Sequence, residues 1–88
     1  MTTADPASAF TAAQRAAGVI AAKHRGDLGG AEQLLAAFPD EAARTRGFML
    51  LAELALTLVR TQTGQTMDDL VQELTLHIAA ASEPPVST

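Results

Sequence analysis

Apolar positions recur at spacings of three and four in four stretches of the chain, each bounded by residues that start or stop helices. In the first, Phe10, Ala13, Ala17, Ile20 and His24 share one predicted face. Asp5 is placed to cap the free amides, and Pro6 suits the first helical position. Gly26 follows Lys23, His24 and Arg25, cations that suit the negative end of a helix dipole, so the pattern predicts a helix over 6–25. Asp27 is a natural cap for a short second helix over 28–38, with Leu28, Ala31, Leu34, Leu35 and Phe38 as its apolar positions. Gly29 and Gly30 weaken its first turn, each by up to about 1 kcal/mol relative to alanine, and Pro39 ends it.

A third helix is predicted over 40–63, opening at Asp40-Glu41 and closing at Gly64, with Gly47 as the expected place for a kink or break. From Phe48 it is apolar nearly all round, through Met49, Leu50, Leu51, Leu54, Ala55, Leu58 and Val59. A helix of that kind has to be covered on more than one face, which predicts a central position, a dimer surface, or both. The fourth helix, over 67–81, has Thr66 and Asp69 in a capping-box arrangement and a stripe of Met67, Leu70, Val71, Leu74, Ile78 and Ala81. Asp68, Asp69, Gln72, Glu73 and His77 oppose that stripe. The expected architecture is all-α, a small bundle of about four helices with the third central. Residues 1–5 are expected to be flexible, 6–81 to form one domain, and the proline-containing 82–88 to be disordered.

Composition strengthens the helical reading. Apolar residues make up 48% of the 88, yet aromatics only 3%, all of them Phe; the remainder is mostly Ala and Leu, the strongest helix formers. An alanine-filled core implies close helix approach and little burial per residue, so the monomer is expected to be marginal and a homodimer is favoured. The net charge of −4 gives no general attraction for phosphate backbones. With no cysteine there is neither a disulfide nor a thiolate metal site. The start of the chain lacks the basic and apolar segments of a signal peptide, and the apolar run Phe48–Val59 is too short to span a membrane, so a cytoplasmic protein is expected.

Gly26-Asp27-Leu28, followed by Ala31 and Leu34-Leu35, resembles the opening of the second helix of a tetratricopeptide-type repeat. The aromatic positions of that repeat have no counterpart here, and no family is assigned from it.

Candidate chemistry is sparse. His24, His77 and Glu53 fall on three predicted helices with no paired metal-ligand spacing, so no metal or cofactor is expected. Glu53 shares a polar strip of the third helix with Arg46, Thr57 and Arg60, the alternative being a buried carboxylate paired across a dimer or with Arg15. Ser8, Ser82 and Ser87 lie near the ends, outside any nucleophile turn, and Asp68-Asp69 is explained by the helix dipole. Gly26, Gly29 and Gly30 lack the following Lys-Ser/Thr of a phosphate loop, and no catalytic residue is assigned.

Two surfaces remain. Phe48, Leu51, Leu54, Ala55, Leu58 and Leu74 form the expected protein interface. Lys23, Arg25, Arg44 and Arg46 form a candidate basic patch, if the short second helix brings them together; without aromatic stacking residues they make a poor nucleic-acid binder. The expected function is a non-enzymatic interaction or adaptor module whose partner is itself, as a homodimer, another protein, or both, with neither nucleic acid nor membrane favoured. The alternatives are a small transcriptional regulator using the basic patch, an antitoxin-like acidic partner of a basic protein, and a small-ligand binder with a pocket between helices one and three.

Overall fold

The computed structural model describes residues 6–82, which form four helices: α1 Pro6–His24, α2 Leu28–Ala36, α3 Glu41–Thr63 and α4 Met67–Ser82. The fold class is all-α, as the sequence pattern predicts, and there is no strand among the described residues. The expected flexibility of residues 1–5 and the cap at Asp5 lie outside the described residues, as does the tail beyond Ser82.

The helix ends form where their local chemistry dictates. At the end of α1, Gly26 adopts a positive φ of 80°, its amide donates to the Lys23 carbonyl (3.0 Å), and the Asp27 amide reaches back to that of Ala22 (2.9 Å). This paired closure satisfies two carbonyls that the helix end leaves free. The Asp27 carboxylate then accepts from the Gly30 amide at 2.9 Å, opening α2. Asp40 does the same for α3, accepting from the Ala43 amide at 2.7 Å. Gly64, at φ 75°, donates to the Arg60 carbonyl (2.7 Å) and ends α3. The Thr66 hydroxyl accepts from the Asp69 amide at 3.1 Å, the first half of the expected capping box. Asp27→Ala is expected to cost about 1 kcal/mol, read as a lower urea midpoint; an unchanged midpoint would mean that α2 is held by packing alone.

Contacts divide the described residues into two compact units, one ending at Leu54 and the other beginning at Ala55, the boundary falling inside α3. The sequence pattern suggests a single domain over 6–81. The division reflects where buried side chains are found. Ala12, Ala16, Val19, Ala22, Ala31, Phe38 and Ala43 form one core in the first unit, with Leu34, Leu35, Phe48 and Leu51 packed against it. In the second unit, Leu70 is the buried large side chain among the described residues.

The buried face of α1 differs from the expected one. Phe10, Ala17, Ile20 and His24 are exposed, and the core side carries Ala12, Ala13, Ala16, Val19 and Ala22. Both sets satisfy helical spacing. The small set wins because α1 is closely approached: a Cβ at Gly47 of α3 would lie 2.6 Å from the Ala12 carbonyl oxygen and 3.1 Å from the Ala12 Cβ. Phe or Ile on that side would hold the helices apart. The same contact explains why α3 runs unbroken through Gly47, where a kink or break is expected from sequence: the glycine serves helix packing and is itself buried.

Phe38 is the large buried side chain of this core among the described residues. Its ring lies 6.1 Å from that of Phe48, tilted by 35°, and the Arg15 guanidinium stands 5.5 Å from its centroid. Both arrangements are favourable for aromatic rings, the second adding a cation–π attraction.

Candidate functional site

The second unit buries one large apolar side chain, Leu70, and leaves six exposed among the described residues. It is built from the last turns of α3, the Gly64 turn and α4. Its turn is well tied: the Arg60 Nε donates to the Gln65 carbonyl (3.3 Å), and the Gln65 side-chain Nε2 donates to Glu73 Oε2 (2.7 Å). A polar hollow of about 280 Å³ opens there, lined by Thr57, Arg60, Thr61, Gly64 and Gln65. Arg60 sits in the last turn of α3, where the helix dipole already accounts for a cation. Away from the turn the unit is open. Of the α4 stripe, Leu70 is buried and Met67 half-buried, while Val71, Leu74 and Ile78 are exposed; so are Leu58 and Val59 of α3.

The six residues of the expected interface therefore fall into two groups. Phe48 and Leu51 are half-buried against the core of the first unit, where they serve its folding. Leu54 and, in the second unit, Ala55, Leu58 and Leu74 are exposed. Helical spacing alone does not separate these groups, because a stripe has the same period whether it enters a core or leaves it.

In the first unit, an apolar groove of about 330 Å³ runs between α1 and α3, lined by Phe10, Ala13, Gln14, Ala17, Leu51 and Leu54. Its existence follows from the corrected face of α1, since Phe10 and Ala17 point away from the core and flank the groove.

Lys23, Arg25, Arg44 and Arg46 are all exposed, but α2 does not gather them. The contact of Gly47 with Ala12 places the start of α3 beside the first half of α1. Lys23 lies eleven residues beyond Ala12 (23 − 12), or about 16 Å along the helix at 1.5 Å per residue. The two pairs of cations thus stand at different levels of α1. Glu53, Arg46 and Thr57 are exposed and Arg60 half-buried, so Glu53 is not a buried carboxylate, and Arg15 is instead engaged with Phe38. His24 and His77 are exposed as well, and no three His, Cys, Asp or Glu among the described residues are grouped to hold a metal ion. No helix among the described residues is long and apolar enough to cross a membrane.

The described residues form an all-α protein of two small helical units, one with a core and one with most of its large apolar side chains exposed. No family model matches the chain, and neither a curated protein nor a solved structure matches it.

Proposed function

We propose that this chain is a non-enzymatic protein-interaction module of the cytoplasm, its second unit supplying the surface that a protein partner covers. One observation carries the reading: six large apolar side chains of that unit, Leu58, Val59, Val71, Leu74, Leu76 and Ile78, are exposed while one, Leu70, is buried. Helices in proteins draw most of their stability from packing an amphipathic face, and α4, Met67–Ser82, buries little of its own. Exposed apolar surface gathered on one small unit marks an interface.

The test pairs molecular mass with binding of an apolar dye by the purified full chain. An interaction surface is expected to show itself either as a bound polypeptide, giving a mass above that of one chain, or as dye fluorescence on a free monomer. A folded monomer that binds no dye would contradict the reading.

The groove between α1 and α3 supports a second reading, a small apolar ligand, since its volume of about 330 Å³ is at the lower end of ligand sites. Such a ligand would raise the melting temperature of the full chain in proportion to its concentration over its Kd. Leu54→Asp, at the groove's edge, is expected to remove that rise. A rise that survives the substitution would place the ligand elsewhere.

A further inference from the structure

We infer that the open face of the second unit seats a second copy of this chain, the two α4 helices running antiparallel about a two-fold axis. The inference rests on the interaction-module reading and names its partner.

Area comes first. On α4, Val71 (44% exposed), Leu74 (39%) and Ile78 (63%) leave part of their side chains in water, as do Leu58 (62%) and Val59 (38%) on α3. Together they offer on the order of 400 Å² of apolar surface, close to the roughly 500 Å² that each partner contributes as the apolar part of a standard interface.

Symmetry and charge set the direction. The midpoint of α4, (67 + 82)/2, falls at 74.5, and Val71 and Ile78 lie equally far to either side of it. In an antiparallel pair centred there, Val71 of one copy meets Ile78 of the other, and the two Leu74 side chains flank the axis, so the stripe is complementary to itself. The acidic residues of α4, Asp68, Asp69 and Glu73, all lie in its first half, and His77 is the sole ionisable residue of 74–82. Parallel pairing would set both acidic halves side by side. Antiparallel pairing places each against the partner's uncharged half and aligns the two helix dipoles head to tail.

The experiment uses the full chain with substitutions at exposed positions, which do not disturb the core of the first unit. Leu74→Glu with Ile78→Glu is expected to weaken the dimer at least about 100-fold, because central apolar contacts dominate interfaces. Leu76→Glu, about 200° around α4 from Leu74, is expected to leave it unchanged although Leu76 is exposed as well. Orientation is read by cysteine cross-linking, which is unambiguous in a chain with no native cysteine. With a short bismaleimide, Thr75→Cys near the axis is expected to give covalent dimers and Ser82→Cys none, since two Ser82 positions would stand about 22 Å apart along antiparallel helices. A dimer that survives Leu74→Glu with Ile78→Glu, or efficient cross-linking only at Ser82→Cys, would overturn the proposal. A wild-type monomer that binds apolar dye would overturn the second copy while leaving an interaction surface. A wild-type monomer that binds no dye would overturn both.

Discussion

Phe38→Ala is expected to lower the stability of the chain by about 3–5 kcal/mol, the usual cost of deleting a buried phenylalanine. The expectation is severe because the rest of the core is so small. Ala12, Ala16, Ala22, Ala31 and Ala43 each hide little more than a methyl group, and Val19 adds two. At about 0.8 kcal/mol per buried carbon, none of them replaces the ring that Phe48 and Arg15 embrace. A loss of this size approaches the whole stability of a small helical domain, so urea titration followed by circular dichroism should show a first unit already partly unfolded without denaturant. Phe38→Leu keeps most of the volume and is expected to cost less than half as much. A shift under about 1 kcal/mol for the alanine variant would mean that the Phe38 site collapses around the gap.

Gly47→Ala has the second-largest expected effect, and its sign is informative. In an exposed helix the change stabilises by about 1 kcal/mol through backbone entropy. Here the new Cβ would sit 2.6 Å from the Ala12 carbonyl oxygen and 2.9 Å from its carbon, and backbone atoms cannot step aside as a flexible side chain can. Overpacking of this kind costs about 1–3 kcal/mol, and the closeness to backbone puts Gly47→Ala at the upper end, for a net loss of about 2 kcal/mol after the helix gain. Ala12→Gly removes a methyl group but leaves the carbonyl in place, so it is expected not to rescue Gly47→Ala. A stabilised Gly47→Ala would show that α1 and α3 stand further apart.

The helices were legible because their ends are written in local chemistry. Asp27, Thr66, Gly26 and Gly64 each hold the hydrogen bonds or positive φ that their residue types suggest, and the four elements fall within about two residues of the expected bounds. The buried face of α1 was not legible. Phe10, Ala13, Ala17, Ile20 and His24 share a face by their spacing of three and four, but so do the smaller residues that α3 approaches closely at Gly47, a residue whose meaning is tertiary. For the same reason Gly47 reads as a helix breaker in one dimension and as a packing contact in three.

The candidate surface was half legible. Sequence spacing picks out Leu58 and Leu74, which are exposed, but equally picks out Phe48 and Leu51, which lie against the core. Burial distinguishes them, because the α1–α2 core gathers the first part of α3. The candidate basic patch is divided by a simple length: the rise of α1 between Ala12 and Lys23 sets Lys23 and Arg25 at a different level from Arg44 and Arg46.

Sedimentation equilibrium of the wild-type full chain over a wide concentration range tests the central claim most directly. The mass is expected to tend to twice that of one chain as concentration rises and to return to one chain on dilution, with no higher species, as a closed two-fold interface requires. A mass that stays at one chain throughout would contradict it.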